Sequence, residues 1–435
     1  MQSAGQLNLL AYRQANLPVG ALFNLEITTE DMTQETATWL ANFIKEHHES
    51  IEVLSIDLEA KLETRQAFEH ILIDALCAKP APNLRTLDLH LDGATALELS
   101  LPVLPASIFQ GYAPKLQAVR LTDVLLPDAA VPAFSSVVIT QCDEDPTRTH
   151  LRPNHVTLEQ YMTTFPAARQ VELRSFGLTG DGLHTLSSPA LVTWLHNLDY
   201  LELCDMSSST PTSVVLSALP NAENLRSIGI VDDTSSAMLV LLEHLKSCDA
   251  LGMALEHDEF CDGFFVISLA DPAKQRMRKI KTDIEWHDRN STFTGLGPAV
   301  LFHPDHSSQW SAALVFLALP LSLGPIVSTH LPELKKVDSL VISVDDDRSE
   351  GELIAHNGWA PLTLPKLRRL EFWNERCGYL AHKLVLPFIQ HVVGETPEEP
   401  FQLWITGPQM KEERLVYKSV PGSAEPIILT WTSPC

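Results

Sequence analysis

Apolar residues recur along the chain with a gap of three followed by a gap of two, in the pattern L-x-x-L-x-L. An amphipathic helix spaces its apolar residues by three and four, and a two-sided strand alternates them, so the pattern is neither of these. It is typical of a leucine-rich repeat. The central apolar residue of each copy predicts the middle of a strand: Leu25, Leu54, Leu87, Val119, Val137, Val171, Leu201, Ile228, Leu340 and Leu370, with a degraded copy at Leu403 and Ile405.

Amphipathic segments lie between these copies and predict helices. Ala37, Leu40, Ala41 and Ile44 share one helical face, and comparable sets occur around residues 68–75, 158–165 and 238–245. Most copies are about 27 to 34 residues apart, which leaves room for a strand and a helix. The step from Val119 to Val137 is too short for a helix. A single strand–helix unit cannot bury its own apolar face, so neighbouring units must stack.

Prolines mark the change from helix to strand. Pro82, Pro114, Pro166 and Pro365 each stand two residues before the first apolar residue of a copy. Proline cannot continue a helix, and it favours an extended conformation in the residue before it. We therefore predict an α/β fold, an irregular leucine-rich-repeat solenoid with a mostly parallel curved sheet and outer helices.

The pattern divides the chain into three regions. Residues 1–250 hold the N-terminal repeats, and residues 311–435 hold the C-terminal repeats and a cap. Residues 251–310 break the pattern. This irregular insertion contains two segments, Phe264–Leu269 and Met277–Trp286, that are separated by a charged turn and predict a strand pair.

Composition excludes several classes of partner. The 435 residues carry a net charge of −24, which is unsuited to nucleic acid or anionic lipid but leaves room for a basic protein segment. The seven cysteines are scattered and form no CxxC pair, as expected of free thiols in a reducing compartment. No apolar stretch is long enough to span a membrane, and no secretion signal is visible. We expect a cytoplasmic or nuclear protein.

Catalysis and metal binding are not expected. The sequence contains no nucleophile elbow, phosphate loop, HExxH motif or dinucleotide-binding glycine pattern. His257, Cys261, His303 and His306 are residue types that bind zinc, but their intervals match no standard spacing and predict solvated loop residues. We therefore expect no enzyme activity, no cofactor and no metal.

The side chains that point out of the predicted strands, on the concave surface, are the best candidates for binding a partner. Acidic residues dominate them, and the exposed aromatic residues are candidate apolar anchors. The candidate partner-binding residues are Glu26, Asp57, Asp88, His90, Arg120, Glu172, Arg174, Tyr200, Glu202, Arg369, Glu371, Trp373 and Trp404. A basic protein segment is the predicted ligand. A sheet whose acidity serves only solubility is the alternative.

Three segments resemble the region after the F-box in the large group of F-box proteins of mushroom-forming fungi. They are LLAYRQANLPVGALFNLEI (Leu9 to Ile27), FQGYAPKLQAVRLTDVLLP (Phe109 to Pro127) and LPKLRRLEFW (Leu364 to Trp373). The resemblance implies a divergent leucine-rich array that holds a substrate for a cullin–RING ubiquitin ligase. Such an adaptor docks to the linker subunit of the ligase through its F-box.

An F-box is a three-helix unit of about 40 to 50 residues, smaller than most domains. The residues before LPVGALFNLEI show no such pattern. We therefore expect this chain alone not to bind the linker subunit, which requires an F-box upstream. The alternative to an adaptor is a free-standing leucine-rich scaffold or inhibitor with no link to ubiquitin.

Overall fold

The computed structural model describes residues 21–29, 34–59, 62–92, 102–143, 157–174, 188–204, 211–231, 235–257, 264–283, 301–344, 359–374, 382–393, 397, 399–406, 413–418 and 427–430. The chain divides into two compact units, residues 1–225 and residues 226–435. Each unit is described by itself below.

The first unit contains a parallel sheet whose strands follow one another in chain order. Each strand pairs with the next one along the sequence. The described strands are β1 (Phe23–Thr29), β2 (Ile51–Glu59), β3 (Thr86–Asp92), β4 (Ala118–Thr122), β5 (Ile139–Asp143), β6 (Gln170–Arg174) and β7 (Tyr200–Cys204).

Helices connect most of these strands and cover one face of the sheet. The helices are α1 (Gln34–His47), α2 (Leu62–Cys77), α3 (Leu158–Thr164), α4 (Pro189–His196) and α5 (Thr212–Ala218). The predicted apolar face of α1 is buried, since Ala37, Leu40, Ala41 and Ile44 are almost inaccessible. The short step between β4 and β5 contains a 3₁₀ turn, Pro132–Phe134, where the sequence left no room for a helix.

A tight turn precedes each of the strands β3 to β7 and explains the gap of three. The amide of the first apolar residue donates a hydrogen bond to the carbonyl three residues earlier, as in Leu84 to Ala81, Leu116 to Ala113 and Leu198 to Leu195. Pro82 and Pro114 occupy the second position of two such turns, where their fixed φ angle fits. The turn residue and two alternate strand residues thus enter the same core.

The predicted position of the fifth strand is wrong. Val137 was predicted as its centre, but Val137 is the turn residue, and its amide bonds to the carbonyl of Phe134. The strand begins at Ile139, and its inward residues are Thr140 and Cys142, which pair with Val119 and Leu121 of β4. The polar residues at these two inward positions hid the true copy, so the apolar residues before it were assigned instead.

An aromatic cluster fills the core around β5. Phe134 stacks on Phe165 with ring centroids 5.4 Å apart, and Tyr161 lies 4.9 Å from Phe165. The hydroxyl groups of Tyr161 and Thr140 hydrogen-bond at 2.6 Å, and both side chains are fully buried. Burial raises the pKa of Tyr161, so its hydroxyl stays protonated and hydrogen-bonds the buried hydroxyl of Thr140.

The second unit contains a mixed sheet in which parallel pairs predominate. Its strands are β8 (Ser227–Val231), β9 (Leu251–His257), β10 (Phe264–Asp271), β11 (Arg276–Asp283), β12 (Leu314–Pro320), β13 (Ser339–Val344), β14 (Arg369–Asn374), β15 (Phe401–Thr406), β16 (Glu413–Lys418) and β17 (Ile427–Thr430). Within the described residues, their order across the sheet is β8-β11-β10-β9-β12-β13-β14-β15-β16-β17.

The irregular region predicted at residues 251–310 contributes a hairpin to this sheet. β10 and β11 pair antiparallel in the two segments where the sequence predicted a strand pair. The hairpin lies between β8 and β9, because β11 pairs parallel with β8 and β10 pairs antiparallel with β9. β9 itself pairs parallel with β12, and neither of these two strands was predicted from the apolar pattern.

The helices of the second unit are α6 (Ser235–Leu245), α7 (Pro304–Ser311), α8 (Gly324–Ser328) and α9 (His382–Phe388), with a π-helical turn at Ile389–Val393. Met238, Leu241, Leu242 and Leu245 of α6 are buried, as predicted. Together, the two units confirm an α/β protein with a mostly parallel sheet. In the part of the chain that the structure describes, no helix has both the length and the apolar character needed to cross a membrane.

A buried polar cluster fixes the turn of the hairpin to the end of α6. Arg276 Nη2 donates to Asp271 Oδ2 at 2.8 Å, and their side chains are only 6% and 3% exposed. The Cys248 thiol, three residues after α6, donates to the same carboxylate oxygen at 2.9 Å. Burial alone raises the pKa of Asp271, but the hydrogen bonds from Cys248, Arg276 and the Lys274 amide outweigh it and lower the pKa to about 2.

The lowered pKa of Asp271 predicts a loss of stability in acid. A folded-state pKa below the unfolded value of 3.8 gives stability that is present above pH 3.8 and is lost as the pH falls towards about 2. The stability at stake is about 2 kcal/mol. Urea unfolding of the wild type and of Asp271→Asn at pH values from 6 to 3 measures it. We expect the advantage of the wild type to shrink below about pH 4. An advantage that stays constant over this range would contradict the prediction.

Candidate partner-binding faces

Alternate residues of the strands point away from the buried core and form an outward face on each unit. In the first unit the strand registers align these residues in three rows. The first row is Asn24, Val53, Thr86, Ala118, Ile139, Gln170 and Tyr200. The second is Glu26, Ser55, Asp88, Arg120, Gln141, Glu172 and Glu202. The third is Thr28, Asp57, His90, Thr122, Asp143, Arg174 and Cys204.

The structure places every predicted partner-binding residue of the first unit on this outward face. Sequence reasoning missed Gln141 and Asp143, which occupy the second and third rows on β5. They were missed because the copy around β5 was assigned three residues too early. Ile139, which was taken as an inward strand residue, is 41% exposed and lies in the first row. Simple alternation around the buried Cys142 could have found both residues.

Carboxylates outnumber basic groups in these rows. The three rows contain only two arginines, Arg120 and Arg174, and one histidine, His90. They contain six acidic side chains: Glu26, Asp57, Asp88, Asp143, Glu172 and Glu202. Neighbouring parallel strands are about 4.8 Å apart, so a row across seven strands is roughly 29 Å long. An excess of one sign over that distance gives the first unit a negative outward face.

Two ion pairs moderate the charge on β2 to β4. His90 Nδ1 lies 2.8 Å from Asp57 Oδ1, and Arg120 Nη1 lies 3.9 Å from Asp88 Oδ2. Burial raises the pKa of Asp88, although Arg120 and His90 act in the opposite direction. Asp57 remains 43% exposed and Glu26 is also exposed, so both carboxylates are accessible to a partner.

On β6 and β7, the charged and polar side chains of the outward face contact one another. Arg174 Nη2 lies 3.8 Å from carboxylate oxygens of both Glu172 and Glu202, and the Tyr200 hydroxyl donates to Glu202. Burial alone lowers the pKa of Arg174, but Glu202 and its other neighbours raise it above the usual value. The pKa of the Tyr200 hydroxyl is raised by burial and by the Glu202 charge.

Glu202 differs from the other predicted acidic residues because its side chain is fully buried. Its carboxylate therefore serves Arg174 and Tyr200 rather than an incoming charge. Because the Tyr200 hydroxyl already donates to Glu202, it does not offer a hydrogen bond to a partner. The accessible acidic character of the first unit thus comes from the other carboxylates, chiefly those on β1 and β2.

The outward face of the second unit has a different composition. Its rows, read from β8 through β11, β10, β9, β12, β13 and β14 to β15, follow from the strand registers. The first row is Ser227, Met277, Ala270, Gly252, Phe316, Ser339, Arg369 and Gln402. The second is Gly229, Lys279, Ser268, Ala254, Ala318, Val341, Glu371 and Trp404. The third is Val231, Lys281, Val266, Glu256, Pro320, Ser343, Trp373 and Thr406.

The remaining predicted residues, Arg369, Glu371, Trp373 and Trp404, lie together on β14 and β15 of this second face. The guanidinium carbon of Arg369 lies 3.8 Å from the centroid of the Trp404 ring, and Arg369 also pairs with Glu371. Trp404 Nε1 donates to Gln402 Oε1 at 3.1 Å, which orients the indole. Trp404 is therefore partly covered by Arg369, whereas Trp373 is 38% exposed. Two of the predicted apolar anchors, Trp373 and Trp404, thus belong to a different unit from most of the predicted acidic residues, whereas the third, Tyr200, lies in the first unit.

The four residues of zinc-binding type, His257, Cys261, His303 and His306, are not seen to form a metal site in the described part of the chain. His303 caps the start of α7 by accepting a hydrogen bond from the Asp305 amide, and its ring centroid lies 6.0 Å from that of His306. Cys261 and the side chain of His257 lie outside the described residues. Among the described residues, no group of three histidines, cysteines or acidic residues is arranged to hold a metal ion.

Comparison with known proteins adds no family assignment. No protein-family model matches the chain, and no curated protein matches it in sequence.

Proposed function

We propose that the chain is a non-enzymatic, protein-binding leucine-rich solenoid, similar to the substrate-recognition part of an F-box ubiquitin-ligase adaptor. The repeated turn-and-strand unit and the parallel registers support the repeat assignment. The resemblance of three sequence segments supports the adaptor role. A free-standing leucine-rich scaffold or inhibitor is the second candidate, since its binding face would look the same.

The main observation in support of this proposal is the acidic outward face of the first unit. Its rows are about 29 Å long, and an extended peptide advances about 3.3 Å per residue, so the face accommodates roughly nine residues of a partner. The accessible carboxylates on β1 and β2 favour a segment that is rich in lysine or arginine. Rim charges of this kind mainly raise the association rate, and their effect weakens with salt.

Reversing two accessible charges tests the proposal. We expect Glu26→Lys combined with Asp57→Lys to weaken the capture of basic partners from a cell lysate. We also expect it to weaken binding of a fluorescent nine-residue peptide of alternating lysine and alanine about tenfold at low salt. Fluorescence anisotropy at several salt concentrations measures the second effect.

The matched control reverses two exposed charges on helix α1, Glu35→Lys with Glu46→Lys, and changes the net charge by the same amount. We expect this control to reduce binding much less. If both pairs weaken the peptide equally, only the net charge of −24 matters and the face is not a binding site. An F-box encoded in frame upstream of Met1 would favour the adaptor over the scaffold, because this chain alone is expected not to bind the ligase linker subunit.

A further inference from the structure

Strand β1 lies at an open edge of the parallel sheet in the first unit. Within the described residues it pairs with β2 on one side and with no strand on the other. Its seven residues, Phe23–Thr29, include neither lysine nor proline, the residue types with which proteins commonly block such an edge. An open edge of this length can pair with an extended segment of another protein.

The main-chain amide and carbonyl groups of Asn24, Glu26 and Thr28 face this open edge. On β4 to β7, the amide of each first-row residue donates to the carbonyl just before the preceding strand: Ala118 to Arg85, Ile139 to Gln117, Gln170 to Val138 and Tyr200 to Arg169. Asn24 is the first-row residue of β1, and the amide of Phe23 donates in the other direction, to Ser50 before β2. Because these directions alternate along a strand, three residues of β1 offer hydrogen bonds to an incoming strand.

The core beneath the edge is only partly covered. Phe23 and Ile27 point inward but are half-buried, and Leu22 is 44% exposed. Trp39 of α1 is also half-buried and stacks on Phe43, which contacts Phe23 edge-on with ring centroids 6.0 Å apart. The inward side chains of an added strand would therefore meet an apolar surface.

The outward side of the same edge is acidic. In the three rows, the charged residues of β1 and β2 are Glu26 and Asp57, and both are accessible. A lysine or arginine on an added strand would lie beside Glu26. A second copy of this chain is a poor occupant, because its β1 would bring another Glu26 and each chain carries a net charge of −24.

We propose that the edge of β1 binds an extended segment of the partner protein as an added strand. Its apolar residues cover Phe23, Ile27 and Trp39, and alternate lysine or arginine residues lie beside Glu26 on the outward side. The inference deepens the proposed function and rests on it for the nature of the ligand, a basic protein segment. It adds main-chain pairing and an apolar alternate residue to what the acidic rows favour.

N-methylated peptides test the main-chain pairing. The probe is a fluorescent peptide of seven residues, the length of β1, in which lysine alternates with valine. One derivative is N-methylated at its three valines and another at three of its lysines. Only one of these two sets can face β1, so we expect one derivative to bind about tenfold more weakly in fluorescence anisotropy and the other to bind like the parent. Equal affinities of the two derivatives would overturn the inference.

Two variants of Asn24 locate the effect on the edge. Asn24→Pro removes an amide donor at a position where an edge strand tolerates proline, and we expect it to weaken the lysine–valine peptide about fivefold. Asn24→Ala keeps the amide and should leave the affinity unchanged. Urea unfolding checks that both variants are folded, and the methylated peptides give their answer on the wild type in any case. Equal binding by two folded variants would contradict the proposal.

Light scattering of the wild type tests the other occupant. A dimer that Asn24→Pro dissociates would assign the edge to a second copy of the chain and overturn the inference.

The outcomes separate this inference from the proposed function. Binding of the lysine–alanine peptide that depends on Glu26 and Asp57, together with failure of both edge tests, would refute the added strand and leave the acidic face in place. The expected methylation pattern without any effect of Glu26→Lys with Asp57→Lys would keep the added strand and refute the acidic face.

Discussion

Gly324→Ala should strongly destabilise the second unit. Gly324 begins helix α8, and a Cβ atom placed on it would lie 1.6 Å from Cζ2 of Trp359, far inside van der Waals contact. The Trp359 ring cannot easily move away. It is 5% exposed and packs edge-on against Phe388, with ring centroids 4.9 Å apart.

The backbone around Trp359 is also fixed. Its carbonyl accepts a hydrogen bond from His391 Nε2 at 3.1 Å, and the amide of Ala360 donates to Ser328 Oγ of α8 at 2.8 Å. Alanine in place of glycine improves helix propensity by up to about 1 kcal/mol. The overpacking costs more, about 3 kcal/mol, so a net loss of about 2 kcal/mol or more is expected from urea unfolding.

Gly252→Ala is the matched control. Its added Cβ would lie 3.5 Å from Phe316, which is ordinary contact, and the same substitution should change the free energy of unfolding by less than about 0.5 kcal/mol. If the two glycine variants unfold at the same urea concentration, the close packing of Trp359 on Gly324 is not present in solution.

Arg276→Met should remove about 3 to 5 kcal/mol from the stability of the second unit, because it leaves the buried Asp271 carboxylate without its cation. Arg276 and Asp271 are both nearly inaccessible, so water cannot replace the lost partner. The thiol of Cys248 would remain as a donor to Asp271, but a neutral donor compensates poorly for a lost charge. Urea unfolding at pH 7 measures the loss.

The double variant Asp271→Leu with Arg276→Met tests the cause. Replacing both partners by apolar residues of similar volume removes the unpaired charge, so most of the lost stability should return. A loss of less than about 1 kcal/mol for Arg276→Met alone would indicate a solvated pair and contradict the burial of this cluster.

Much of the parallel strand arrangement could be predicted from the sequence. The gaps of three and two report a turn residue followed by two inward strand residues, and this pattern depends on backbone geometry within a few residues. Nine of the ten predicted strand centres lie in strands of the structure. The exception, at Val137, failed because Thr140 and Cys142 fill the inward positions of β5. There, burial of the Thr140 hydroxyl depends on Tyr161, which is distant in sequence.

Strands β9 and β12 could be identified only from the tertiary structure. Their outward residues include Gly252, Ala254 and Ala318, so the segments show little contrast between their two sides. A pattern that depends on polar outward residues cannot detect such strands. The position of the hairpin β10–β11 between β8 and β9 is likewise a matter of pairing between segments, which local spacing does not encode.

The candidate binding faces were likewise predictable from the sequence only in part. Strand alternation alone determined which side chains of β1 to β4, β6 and β7 share the outward face, because the side-chain period of a strand is two. Only the tertiary structure decided that Glu202 is buried with Arg174 and Tyr200, and that Arg369 covers Trp404. These contacts join different strands or depend on the conformations of long side chains. Their geometry is set by packing and charge pairing across the sheet, which the order of residues along one strand does not contain.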